Sequence, residues 1–199
     1  MSLEGAQRTR VAGAGDLEGL TSTLTAAFAT DPLWSWAFPD AADLEVWWRF
    51  LIQSALRYPW IWVSGEFRAA AVWIPPNGTE LTAAEEKRVD PLLAELIGPR
   101  AGEVEELLER FEASHPRERP HYYLSLLGTH PDHRGHGLGM GLLAENLVRI
   151  DAEGMPVYLE SSNPANNRRY EALGFRQVGE FSTPDQAHTV ATMWREPTP

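Results

Sequence analysis

The chain has no cysteine among its 199 residues. That excludes disulfide bridges, thiolate metal sites and a cysteine nucleophile, so any covalent intermediate would need another residue. It has no apolar run long enough to cross a bilayer, and its first residues carry neither an apolar h-region nor a cleavage site. No membrane partner and no signal peptide are therefore expected, and a cytoplasmic location is. Positive charge is scarce: Lys and Arg total 17 against 28 Asp and Glu, a formal net charge of −11. An acidic surface repels phosphate backbones, which argues against a nucleic-acid partner, while the same field draws in a cationic amine. The six His are scattered rather than set in metal-ligand pairs, so no metal is expected. Repeats, low-complexity tracts and interdomain linkers are absent, and the length suits one domain over 1–199 with a sizeable core.

What the chain does have is a stretch around which the rest is organised, His130-Pro131-Asp132-His133-Arg134-Gly135-His136-Gly137-Leu138-Gly139-Met140. The apolar run Tyr122–Thr129 precedes it, and Met140, Leu143, Leu147 and Ile150 recur after it at helical spacing. This reads as strand, glycine loop and helix over 140–153. Glycines at 135, 137 and 139 let successive backbone N–H groups turn toward one point, and at the start of a helix such amides form an anion site. Dinucleotide loops space their glycines one residue wider, and a Walker loop needs Gly-Lys-Ser/Thr at its end, so both nucleotide readings fail.

A second segment, Val157 to Phe175, reads as strand, short helix and strand. Asn163 stands as N-cap, Pro164 at the first helical position and Gly174 just past the end. Along the rest of the chain, Gln7–Ala12 reads as a first strand and 16–30 as a helix capped by Asp16. The segment 31–39 reads as a loop broken at Pro32, whose Trp34, Trp36 and Phe38 either cover an acceptor pocket or fill the core. A helix over 40–58 and a hairpin of 60–63 with 67–74 follow. Leu81–Ile97 and Ala101–Ala113 read as acidic helices with solvated faces, and Gln177–Phe181 and His188–Arg195 close the sheet.

The pattern Arg134-x-x-Gly137-x-Gly139 resembles the pyrophosphate loop of the GNAT superfamily of acyl-CoA N-acyltransferases. The segment from Asn163 to Tyr170-Glu171-Ala172-Leu173-Gly174-Phe175 is similar to the superfamily's second motif, in the right order and at the right separation. Weaker likeness to puromycin-type and related small-amine acetyltransferases lies in 16–31, in the Ala-Val-Trp run of 69–75 and in the His-x-x-x-x-Pro approach from His115. The resemblance implies a mixed α/β (α+β) fold, the GNAT acyl-CoA N-acyltransferase fold. Its central sheet is mostly antiparallel, flanked by helices, with one parallel strand pair that splays apart.

It also implies acetyl-CoA as co-substrate, with pyrophosphate on Gly135, His136, Gly137, Leu138, Gly139 and Met140. Arg134 would add a phosphate contact, pantetheine would lie along Leu127, Gly128 and Thr129, and Asn163 or Asn166 would meet it. The implied chemistry is direct attack of an amine on the thioester, with Tyr170 as general acid. A backbone N–H near Leu127 would face the oxyanion, and Glu160 or His121 would be general base. Arg168 and Arg169 depart from the usual apolar positions before the Tyr. The expected acceptor is a small-molecule primary amine. The alternatives are a protein N-terminus or lysine, a non-catalytic acyl-CoA sensor, and an interaction scaffold. The oligomeric state is open between monomer and homodimer, and exposed tryptophans would make a dimer plausible.

Overall fold

The computed structural model describes residues 9–198. Seven strands form one sheet: β1 (Thr9–Val11), β2 (Ile61–Ser64), β3 (Ala69–Ile74), β4 (Tyr122–Thr129), β5 (Val157–Ser161), β6 (Arg176–Ser182) and β7 (Thr189–Arg195). Their order is β1-β2-β3-β4-β5-β7-β6, and every neighbouring pair is antiparallel except β4 with β5. Positions 7 and 8 of the expected first strand lie outside the described residues.

The helices are α1 (Leu17–Phe28), α2 (Pro32–Ala37), α3 (Ala41–Ala55), α4 (Ala83–Glu86), α5 (Val89–Ile97), α6 (Ala101–Ser114), α7 (Leu138–Ala152) and α8 (Asn167–Glu171). Two expectations change here. The segment 31–39 holds a helix, because the Asp31 carboxylate accepts from the amides of Leu33 and Trp34 while Pro32 takes the first helical position. The expected helix 81–97 is two helices, interrupted between Glu86 and Val89.

Two apolar layers cover the two faces of the sheet. Strand β3 serves both, since side chains alternate along it: Ala70, Val72 and Ile74 join α1, α2, α3, α5 and α6, whereas Ala69, Ala71 and Trp73 join α7. Trp34 and Phe38 are buried in the first layer, whereas Trp36 is half-buried and donates from Nε1 to Asp185 Oδ2 at 2.8 Å. Trp34 meets Trp48 edge-on with centroids 4.6 Å apart. No tryptophan is exposed; all eight are buried or half-buried, so they give no support to a dimer. Leu20 and Leu24 of α1 are fully buried, each contributing about 1.5–3 kcal/mol.

A bulge in β4 positions everything that follows. Val72 pairs with Leu126 and Trp73 with Leu124, which leaves Ser125 as an extra residue. Upstream of it, Tyr122 and Leu124 face the α7 layer; downstream, Leu126 faces the α1 layer and Leu127 packs toward α7. One inserted residue has swapped the faces of the strand. No helix among the described residues is long and apolar enough to cross a membrane.

Candidate active site

Strands β4 and β5 are joined by α7, as the strand–helix–strand reading requires, and they pair side by side over only a short stretch. Tyr122 opposes Val157, Tyr123 opposes Tyr158 and Leu124 opposes Leu159. There the register ends, although β4 continues to Thr129 and β5 to Ser161. Past Leu124 the seam opens into two connected spaces.

The first is a cleft of about 560 Å³ over the end of β4 and the start of α7. Its four glycines are required for three different physical reasons. Gly135 and Gly137 hold φ of 82° and 72°, the left-handed region that costs L side chains, and a Cβ on either would meet nothing within 4 Å. Gly139 sits where a Cβ would lie 2.6 Å from Thr129 Oγ1, so it allows α7 to approach β4. Gly128 serves packing on the other face, where a Cβ would come within 2.8 Å of Ala27 Cβ and 2.9 Å of Leu24 Cδ2. Helix α7 begins at Leu138, so the amides of Leu138, Gly139 and Met140 lie in its first turn. Open space above left-handed glycines at the positive end of a 15-residue helix fits an anionic phosphate group.

Most residues expected to hold acetyl-CoA line this cleft: Leu127, Gly128, Thr129, Arg134, Gly135, Gly137, Leu138, Gly139, Met140, Asn163 and Asn166. His136 does not; it is exposed, with Nδ1 3.4 Å from the His133 carbonyl. Arg134 docks the loop onto α1 by donating from Nη2 to the Ala27 carbonyl at 2.7 Å. Asn163 Oδ1 accepts from Ala165 N at 3.0 Å, and Asn166 Oδ1 accepts from Arg169 Nη1 at 3.1 Å. Arg169 also lines the cleft, bringing a second cation to it.

The second space is a larger cavity of about 950 Å³. Phe28, Trp34, Trp47, Trp48, Leu51 and Phe111 supply apolar wall, and Glu80, His115, His121, Ser125 and Glu160 supply polar wall. Phe28, Asp31, Leu127, Asn166 and Tyr170 line both spaces, so the two meet beside Tyr170. Burial pushes the Tyr170 phenol up to about 12, with the Asp31 carboxylate adding to the effect. The phenol therefore keeps its proton at neutral pH.

The Glu160 side chain is only 3% exposed. Burial pushes its carboxyl up to about 8, although the hydroxyls of Tyr158 and Tyr123 stand against it and hold it back; the nearby Glu80 charge pushes it further. Burial likewise raises Glu80, which accepts a hydrogen bond from the Ser125 hydroxyl. Asp31, raised by desolvation, caps α2 through Oδ1 and accepts from Ser162 Oγ at 2.9 Å through Oδ2, which ties α2 to the end of β5.

His121, the second candidate base, is buried at the start of β4, and its ring reaches His115 rather than Glu160. His115 is the nearer imidazole, with Nδ1 3.9 Å from Glu160 Oε1. Reading the sequence misses His115, Glu80 and Asp31 as site residues. For Asp31 a signal existed, since Asp-Pro before an aromatic run is an N-cap followed by Pro at the first helical position. For His115 and Glu80 there was none, because they reach the cavity from segments far from β5.

The acetyltransferase (GNAT) family model matches residues 24–175. Among solved structures, the fold is similar to that of a Corynebacterium glutamicum protein described as histone acetyltransferase HPA2 and related acetyltransferase. That pair is 23% identical, with 98% of each chain covered and a TM-score of 0.71. It is also similar to arylalkylamine N-acetyltransferase 2 from Aedes aegypti, at 15% identity, 98% of this chain and 100% of that one, and a TM-score of 0.70. Polyamine N-acetyltransferase from Drosophila melanogaster, which forms N-acetylagmatine, matches at 21% identity over 95% and 99% of the two chains with a TM-score of 0.65.

Proposed function

This chain belongs to the acetyltransferase (GNAT) family and is an N-acetyltransferase, and we propose that it carries acetyl from acetyl-CoA directly to the primary amine of a small molecule in a ternary complex. The observation that carries this reading is the meeting of cleft and cavity beside Tyr170, with a nearly inaccessible carboxylate on the cavity side. Acetyl-CoA bound in the cleft supplies the activated acyl group. Amides of 135–140 and the cations Arg134 and Arg169 receive its phosphates, and the end of β4 at 127–129, paired with β3 but free of β5, lies along its arm.

On the cavity side, Glu160 takes the proton of the attacking amine. The N–H of β4 near Leu127 faces the developing oxyanion, and Tyr170 gives its proton to the departing thiolate. Holding both substrates at one junction contributes much of the rate. A hollow walled by tryptophan and phenylalanine, with carboxylates inside it, suits a small cationic amine better than a protein N-terminus or lysine. The neighbours described as acting on agmatine, polyamines and arylalkylamines belong to that chemical class. Kinship with the puromycin-type enzymes in particular belongs to the same proposal and rests on the Ala-Val-Trp run, which forms part of β3, and on the approach from His115.

The test is CoA release from acetyl-CoA in the presence of agmatine, a polyamine, an arylalkylamine or an acceptor peptide, with calorimetry of acetyl-CoA binding. Acetyl-CoA binding and turnover with a small amine are expected. Turnover with the peptide alone, or no acetyl-CoA binding by folded protein, would overturn the reading.

A further inference from the structure

Transfer of acetyl to an amine that arrives as ammonium has a fixed proton balance. The ammonium and acetyl-CoA become the amide, CoA thiol and one free proton. One proton must therefore leave the site in every turnover, and under the function proposed above it leaves by way of Glu160, whose side chain is 3% exposed. A route outward is needed, and the hydrogen bonds around Glu160 identify it.

The His121 ring has one side with no freedom. Its Nδ1 lies 2.7 Å from the Arg119 carbonyl, an acceptor only, so Nδ1 carries the hydrogen and Nε2 is bare. That bare Nε2 lies 3.1 Å from His115 Nε2, which must then be the donor. The consequence is a fixed tautomer at His115: hydrogen on Nε2, lone pair on Nδ1. This lone pair is the atom 3.9 Å from Glu160 Oε1, a separation that one water or a small side-chain movement closes. His115 is also the member of the chain that reaches solvent, with a side chain 28% exposed.

We propose that His115 is the proton exit of the site, receiving at Nδ1 the proton that Glu160 takes from the amine and releasing it to water, while His121 acts as a positioning residue that holds His115 in the receptive tautomer. In bond terms, one N–H of the ammonium breaks as Glu160 O–H forms, and the second N–H proton, lost after attack on the thioester, replaces the one that Tyr170 gives to the thiolate. Glu160 O–H then breaks as His115 Nδ1–H forms, and Nδ1–H breaks to water. The Nε2–H stays with His121 throughout, so the starting tautomer returns.

The groups that face His115 are Glu112 at the end of α6, Arg117 beyond it, His121 and Tyr123 from β4, and Tyr158 and Glu160 from β5. Desolvation first, then His121, lowers the ring to about 4, so it is neutral and ready to accept at physiological pH. Passing from a carboxyl near 8 to this ring is uphill by a factor of about 10⁴. The step is drawn forward by release of the proton from Nδ1 to water.

The test uses His115→Ala and His121→Ala in the intact protein. His115→Ala is expected to lower kcat about 10- to 100-fold in dilute buffer, below the range for a group that transfers the proton in the transition state because water takes over part of the release. Added imidazole should restore most of it, and acetyl-CoA affinity by calorimetry should not change. Wild-type kcat in His115→Ala, or a loss that imidazole leaves untouched, would overturn the proposal. Nitrogen-15 NMR of the imidazoles in the wild type decides the tautomers without any acceptor: His115 with hydrogen on Nε2 and a resonance that moves in Glu160→Gln supports the exit, and hydrogen on Nδ1 eliminates it. A wild type that turns over no amine sinks the acetyl-transfer reading instead, and the NMR result still stands for or against the exit.

Discussion

The cleft and the cavity meet beside Tyr170 and are built by opposite means. The cleft is lined mainly by one short stretch of chain, the end of β4, the glycine loop and the first turn of α7, between the end of α1 and residues 163–170. The cavity is made of side chains brought from α1, α2, α3, α6, β4, β5 and the segments between them. Backbone amides at a helix start serve any ligand bearing a phosphate, so the cleft can remain constant while acceptors change. Side chains set size, polarity and pKa, so the cavity decides which amine is taken and which group moves its proton. Variants should therefore separate cleanly, with cavity changes acting on turnover and cleft changes on acetyl-CoA affinity.

The largest separation is expected for Glu160→Gln. Loss of the base should lower kcat/KM for the amine about 10²–10⁴-fold while calorimetric acetyl-CoA affinity is retained. If affinity falls with it, the two spaces are not independent. Next is Tyr170→Phe at the junction, expected to lower kcat about 10- to 100-fold with acetyl-CoA still bound. Unchanged turnover would remove Tyr170 as the acid. On the cleft side, Gly137→Ala places a Cβ at φ 72°, costing about 1–2 kcal/mol, so acetyl-CoA binding should weaken by roughly 10-fold with the amine KM unaltered.

The smallest effect is a pH dependence of stability. The native Glu160 carboxyl lies near 8 and its ordinary value is 4.5, so native protein holds a proton that unfolded protein has lost between those values. Stability thus falls as pH rises through that window. Glu160→Gln lacks this loss, so its Tm relative to wild type should rise steadily from pH 5 to pH 8. A constant Tm difference across that range would show that Glu160 is not raised. The activity profile follows the same group: kcat/KM should climb with pH toward about 8 as the base loses its proton.

The contrast also explains what could be read without coordinates. Tyr122–Thr129 is a strand over the whole of the span read for it, and Asn163 accepts from Ala165 N as an N-cap should. Both signals are local, a matter of side-chain type and neighbours within a few residues. Helix α7 starts at Leu138, two residues before the sequence predicts, because glycines at 137, 139 and 141 have low helix propensity and the packing of Gly139 against Thr129 overrides it. For a related reason the sequence does not decide between cavity and core for the aromatics of 31–39. Trp34 is buried against Trp48 and Phe111, and those partners lie 14 and 77 positions downstream.

By itself the sequence determined the order of strands and helices through the central crossover, the glycine loop that must hold left-handed φ, and the residue types that can bind a phosphate there, since each depends on short-range stereochemistry. Tertiary structure alone decided that Ser125 bulges and swaps the faces of β4. It decided that pairing with β5 stops at Leu124, and that Glu160 is buried deeply enough to hold a proton near neutral pH. It also decided that His115, half-buried, comes within 3.9 Å of Glu160. Desolvation and a fixed imidazole tautomer arise from groups distant in the chain, and only the folded arrangement places them within reach of one another.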